Sequence, residues 1–258
     1  MNSAHHPPPH KWQSFFAEFR QYTSASPLQP ARSIDPHKAE TFFALFRQRY
    51  SPFVQSGGTI NVWDVAGIGT DEVRNCAVLG WLLDCHGSHG QGASFLRCFL
   101  DSVRYAPQNY SSRLMRLPQA VHVFPPYRTT LENRYSPGCL EDGGPESRVD
   151  IVIENESFLL FIEVKIHATE TGNQLERYSN ILQAHACDKP CGLVFLTPTG
   201  RAARDESAKG IACLSWKHFA DSLEAFINVP GISGGTVSTG QPLWASLVQQ
   251  FCSHIRQF

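Results

Sequence analysis

Residues 148–165, RVDIVIENESFLLFIEVK, constrain the fold of this chain more than any other stretch. Two apolar runs flank a polar turn at Asn155-Glu156, so the segment predicts a buried β-hairpin. Strand alternation then sorts the side chains. Val149, Ile151 and Ile153 share one face of the first strand, opposite Asp150 and Val152. In the second strand Phe158, Leu160, Ile162 and Val164 stand opposite Leu159, Phe161, Glu163 and Lys165. A hairpin turning about Asn155-Glu156 sets residue 150 across from 161 and makes 163 the diagonal neighbour of 150. Directly paired and diagonal residues point the same way, so Asp150, Glu163 and Lys165 are expected on one sheet face. A four-residue loop keeps that parity, and a three-residue loop breaks it.

Two carboxylates at a diagonal spacing of about 7–8 Å are close enough to share one Mg2+, whose bonds to oxygen are about 2.0–2.1 Å. Such a cation polarises a phosphate and acidifies a bound water. A lysine beside that water orients it and neutralises charge developing on the phosphorane. Charges on so apolar a strand are otherwise costly to bury. The competing reading makes Glu163 and Lys165 the polar positions of an edge strand and Asp150 incidental. Glu-x-Lys alone is too common to decide between them. The preceding Asp strand and the Gln174 and Tyr178 that follow favour the catalytic reading. Those two residues are four apart and fall on one face of an expected helix. Both side chains suit a phosphate or a water network, although Tyr178 also fits a core position.

In order and spacing, Asp150, Glu163-x-Lys165 and Gln174-x-x-x-Tyr178 resemble the PD-(D/E)XK nuclease superfamily, in its RecB-like branch with a Q-x-x-x-Y helix. Upstream, INVWDVAGIGTDEVRNCAVLGWLLDCHGSHGQGASFLRCFL resembles the opening of a bacterial group in that superfamily, with its WLLD-like helix end, His-Gly loop and FL-rich helix. The resemblance implies an α/β fold with a restriction-endonuclease-like core, a mixed central sheet flanked by helices. It implies cleavage of DNA with Mg2+, or Mn2+ in its place. It assigns catalytic roles to Asp150, Glu163, Lys165, Gln174 and Tyr178. Many members place a further Glu on the first core helix, and Glu72 is the best-placed residue for it, which makes Asp150, Glu163 and Glu72 the expected metal ligands. Val149, rather than Pro, precedes Asp150.

Further elements follow from periodicity and capping signals. Residues 1–60 read as a tail and helical extension, with aromatic-rich helices at 11–22 and 38–50 expected to pack on the core. Residues 61–258 read as the nuclease-like domain. A helix is expected from an N-cap at Thr70, with Val73, Ala77, Leu79 (or Gly80) and Leu83 as its apolar stripe. A second helix is expected at 93–103, a strand at 120–124, an irregular stretch at 136–147 and a buried strand at 192–197. Helices at 215–227 and 242–256 enclose a flexible loop, GISGGTVSTG. No internal repeat and no heptad pattern is expected. Trp63, Trp81 and Trp216 are assigned to the core rather than to base stacking.

Composition narrows the classes that remain. No apolar run reaches the roughly 18 residues of a membrane span, and the first residues lack a secretory pattern. Eight cysteines without a Cys-x-x-Cys pair read as reduced thiols of a cytoplasmic protein. The Cys85-His86-x-x-His89 cluster reads as a Gly-rich loop, phosphate-approaching or turn-forming, rather than a zinc site. A net charge of −1 excludes a broadly basic coat, yet a local groove and a bound cation supply the field a nuclease needs. Walker, Gly-x-Ser-x-Gly and His-Glu-x-x-His motifs are absent from the sequence. DNA is the expected partner, with a homo-oligomer or a further protein partner also anticipated. A catalytically silent DNA-binding or assembly module on the same fold is the alternative.

Overall fold

A computed structural model of the chain describes residues 35–55, 57–109, 117–135, 147–167, 173–201, 211–229 and 242–258. The chain divides into two compact units, Met1–Ile60 and Asn61–Phe258. In the first unit, helix α1 spans Pro36–Gln55. Asp35 starts it, its Oδ1 accepting the His37 N–H at 3.0 Å, and Pro36 occupies the first helical position, where no N–H is needed. No residue of α1 is buried within the described part of this unit. The expected helix at 11–22, all but Ser147 of the irregular stretch expected at 136–147, and the GISGGTVSTG loop lie outside the described residues.

The second unit is built on a five-stranded mixed sheet, as the α/β reading anticipates. Its strands are β1 (Arg128–Tyr135), β2 (Ser147–Glu154), β3 (Leu159–Val164), β4 (Cys191–Thr197) and β5 (Ala212–Ser215), in the order β1-β2-β3-β4-β5. The first three run antiparallel to one another, and β3, β4 and β5 run parallel. The helices are α2 (Val62–Val65), α3 (Glu72–Leu83), α4 (Ser94–Tyr105), α5 (Gln174–Ala186), α6 (Trp216–Ile227) and α7 (Leu243–Ile255). Ile151, Ile153, Leu160, Ile162 and Val164 bury one sheet face against α3, α4, α6 and α7. On the other face Val152, Leu159, Phe161, Leu193 and Phe195 pack against Leu175, Tyr178, Ile181 and Leu182 of α5. Among the described residues no helix is long and apolar enough to cross a membrane.

The hairpin closes with a four-residue loop, since Glu154 pairs with Leu159. Val152 pairs with Phe161, so the register is shifted by two from the expected one and side-chain parity is preserved. Extending it places Asp150 directly across from Glu163 instead of diagonally. Val149 departs from the expected pattern and joins the α5-side cluster. It lies beside an interruption in the β1–β2 ladder, where Glu132 has φ 49° and Asp150 has no paired partner.

Three other readings are corrected. No strand forms at 120–124; Ala120–His122 is a single 3-10 turn, because Pro125 and Pro126 offer no N–H for a ladder. The strand comes later, as β1, whose polar RTTLENRY sequence suits a half-exposed sheet edge and carries no hydrophobic signal. The N-cap of α3 is Asp71, which accepts the Arg74 N–H at 3.0 Å, and not Thr70. Its buried stripe runs through Cys76, Leu79, Leu82 and Leu83, leaving Val73 56% exposed and Ala77 at the surface.

The loop after α3 is held by a buried imidazole. His89 Nε2 donates to the Asp84 carbonyl at 3.1 Å, its Nδ1 accepts the Gln91 N–H at 3.0 Å, and Trp81 and Phe95 pack edge-on against the ring. Both ring nitrogens are therefore engaged, which leaves neither for zinc. A Cβ at Gly87 would come within 2.5 Å of His89 Nε2 and 2.6 Å of the Trp81 carbonyl. Gly87→Ala is expected to cost about 1–3 kcal/mol in thermal unfolding. Burial lowers the His89 pKa from its ordinary 6.5. Below that value the unfolded chain binds a proton that the folded one refuses, so stability is lost as pH falls. Wild type should consequently lose more stability between pH 7 and 5 than His89→Gln does.

Candidate active site

The ends of β2 and β3 farthest from their loop converge on a narrow cleft of about 280 Å³. Asp150, Glu163, Lys165, Gln174, Tyr178 and Glu72 all line it, so every residue singled out in the sequence is brought to one place. A larger depression, about 830 Å³, lies at the loop end of the same hairpin among Phe124, Tyr127, Asn155 and neighbours. No lysine lines it, whereas Lys165 lines the smaller cleft.

Asp150 is positioned by the ladder it terminates. Its Oδ2 accepts the Val164 N–H at 2.8 Å, so a side chain replaces the backbone acceptor that another β2 residue would supply. Glu163 has no solvent exposure. Its Oε1 accepts from Lys165 Nζ at 2.5 Å and from Gln174 Nε2 at 2.7 Å. Its Oε2 is buried and receives no N–H donor among the described residues, with the Asp150 carboxyl group close enough to share a proton with Glu163. Gln174 opens α5, and its Nε2 also reaches the Tyr178 hydroxyl at 2.9 Å. That hydroxyl donates in turn to the Arg148 carbonyl. The Gln-x-x-x-Tyr pair thus braces Glu163 against β2, while the Tyr178 ring packs in the α5 core.

Glu72 arrives from the first turn of α3. Its Oε1 accepts the Ile166 N–H at 2.9 Å, and its Oε2 lies 3.9 Å from Lys165 Nζ. The turn that carries Lys165 is fixed from the other side by Trp216, whose fully buried indole donates to the Lys165 carbonyl at 3.2 Å. Lys165 is therefore held at its backbone on both flanks, with its ammonium directed at the acidic pair.

The electrostatics follow from burial. Loss of water pushes Glu163 up to about 8, and the neighbouring Asp150 charge adds to the rise while Lys165 opposes it. Burial also raises Asp150, against the pull of the Val164 N–H and Lys165. For Lys165 burial acts downward, but Glu163, Asp150 and Glu72 together outweigh it and raise the pKa, so the side chain is an ammonium. Two carboxyl groups that resist ionisation side by side, one with an oxygen that no N–H reaches, form a set that a divalent cation would relieve. Among the described residues no three His, Cys, Asp or Glu side chains form a ready-made metal cluster. Two carboxylates are nevertheless what Mg2+ usually takes from a protein, with water and phosphate oxygens completing its shell.

Comparison with known proteins accords with this geometry. The sequence model of one family, the PD-(D/E)XK nuclease superfamily, matches residues 60–253. The chain belongs to that superfamily. No curated protein and no solved structure matches it. The mixed sheet flanked by helices is the restriction-endonuclease-like fold, and membership carries a nuclease-type function. PD-(D/E)XK nucleases generally use divalent metal ions.

Several cleft residues escape a reading of the sequence. Arg148 and Arg177 bring guanidinium groups to the wall, and Glu132 stands 3.2 Å from Arg148. Arg148 was legible in principle, two positions before Asp150 on an alternating strand. Arg177 lies one helical turn from Gln174. Glu132 was not, because it lies on a strand that the sequence does not announce.

Proposed function

We propose that this chain is a DNA nuclease dependent on Mg2+, with Mn2+ able to replace it, in which Asp150 and Glu163 hold the cation. The observation that carries this reading is Glu163: a fully buried carboxyl group with one oxygen that receives no N–H donor, set against the Asp150 carboxyl group in the cleft. A cation held by Asp150 and Glu163 would polarise the scissile phosphate and lower the pKa of a nearby water. Lys165 orients that water and neutralises the charge that develops on the phosphorane. Gln174 holds Glu163 in place, and Tyr178 anchors Gln174 to β2, which favours the RecB-like branch of the superfamily. Arg148 and Arg177 place positive charge where a phosphate backbone would lie, despite the chain's net charge of −1. A cytoplasmic role in bacterial genome maintenance or defence against foreign DNA fits this chemistry.

The test is direct. The purified chain is incubated with linear, circular and single-stranded DNA, with and without Mg2+ or Mn2+. Metal-dependent cleavage is expected. Binding of DNA with no cleavage of any substrate would replace this reading with the silent-module one.

Glu72 is proposed as a further metal or water ligand. Glu72→Gln keeps an oxygen for the Ile166 N–H and removes only the charge. A loss of about 10- to 100-fold in cleavage, the range for residues that support metal ligands, is expected. Unchanged activity would leave Glu72 with a purely structural part.

A further inference from the structure

The cleft wall beside the acidic pair holds a polar group that the chemistry above does not use. Ser147 opens β2 and is 3% exposed, yet its hydroxyl has no hydrogen-bond partner among the described residues. It lines the cleft together with Arg148. A serine hydroxyl can donate and accept, and burying it unpaired is costly. Such atoms are rare in folded proteins, and one on a cleft wall calls for a ligand that arrives there.

Arg148 is fixed at both ends. Its carbonyl accepts from the Tyr178 hydroxyl, and its Nη1 lies 3.2 Å from Glu132 Oε1. Both side chains of that ion pair are about half-exposed, so the pair adds little to stability. It does hold the guanidinium at the cleft wall, and it engages only one terminal nitrogen of a fork that carries several N–H donors. Arg148 stands two residues before Asp150 on β2, about 6.5 Å along the strand. That is close to the separation of successive phosphates on one nucleic-acid chain.

We propose that Ser147 and Arg148 form a subsite for the phosphate next to the scissile one, a proposal that rests on the nuclease reading above. The hydroxyl donates to one phosphate oxygen, and the guanidinium supplies the opposing charge. A neutral donor beside a cation is a usual composition for contacts to the nucleic-acid backbone, which fix register and orientation and carry no sequence information. The subsite therefore sets where the strand lies over Asp150 and Glu163, and it is indifferent to the bases.

Binding of labelled oligonucleotides to the full chain, measured against salt concentration with Ca2+ in place of Mg2+, tests the subsite. Ser147→Ala should weaken binding about tenfold, the scale for a hydrogen bond to a charged group. Its salt dependence should match wild type, because no charge is lost. Its melting temperature should be no lower than wild type, since an unpaired buried hydroxyl does not stabilise the fold. Arg148→Ala should reduce the steepness of log K against log salt by about 0.9 on a duplex or about 0.7 on a single strand, the share of one phosphate. Arg148→Lys should restore it. Ser147→Ala that binds DNA as wild type does would overturn the proposal, and so would an unchanged salt slope in Arg148→Ala. The nuclease reading fails separately. Wild type that binds DNA but cuts none with Mg2+ or Mn2+ would remove that reading, while the binding results would still decide whether Ser147 and Arg148 grip a phosphate. Cleavage by wild type, with both alanine variants binding normally, would overturn the subsite alone.

Discussion

Replacing Lys165 with alanine is expected to lower DNA cleavage by about a thousandfold, the scale for removing one group that stabilises transition-state charge. Fold and Mg2+ affinity should change little. The lysine contributes its ammonium to the cleft, whereas its backbone is held independently by Trp216 and by the Glu72 contact at Ile166. Truncation leaves Glu163 without its nearest cation, but a carboxyl group already pushed up to about 8 can take a proton instead of unfolding the sheet. Steady-state cleavage, thermal unfolding and Mg2+ titration of the same preparation separate the three effects. Full activity in Lys165→Ala would remove this constellation from the mechanism.

Asp150→Ala should abolish activity by a different route. Half of the acidic pair is gone, so metal affinity and cleavage are expected to fall together. Stability should fall as well, by about 1–3 kcal/mol, because the Val164 N–H loses its acceptor inside the protein. Asp150→Asn separates these consequences: its amide oxygen still accepts from Val164, while its charge is gone. The asparagine variant is therefore expected to melt near wild type and to bind Mg2+ as poorly as the alanine one. Near-wild-type metal binding in Asp150→Asn would show that the cation sits elsewhere. Asp150 and Lys165 act on one reacting centre, so the double alanine variant should cleave scarcely less than either single one.

The hairpin shows how far local pattern reaches. Alternation of apolar residues settled that Asp150, Glu163 and Lys165 share a side, since a four-residue loop and a two-residue shift both preserve a period of two. The Gln174–Tyr178 pair was legible for the same reason, as a spacing of four keeps two side chains on one helix face. Periodicity carries no information on which residues meet across 94 positions of chain. Glu72 was reached through resemblance, and its contact with the Ile166 N–H became visible only once α3 lay beside the end of β3.

Polar segments mark the other boundary. The sequence by itself determined the buried strands β2, β3 and β4, the helices that cover them and the side on which the charges lie, because burial of apolar surface imposes a period on the residues involved. The four-residue β5 is too short to show one. Only the tertiary structure decided where β1 lies, that Asp150 ends the ladder as a side-chain acceptor, and that one oxygen of Glu163 receives no N–H donor. Edge strands need no apolar period, since water satisfies one of their sides. The state of that oxygen is a property of everything that surrounds it, and no local stretch of residues encodes that.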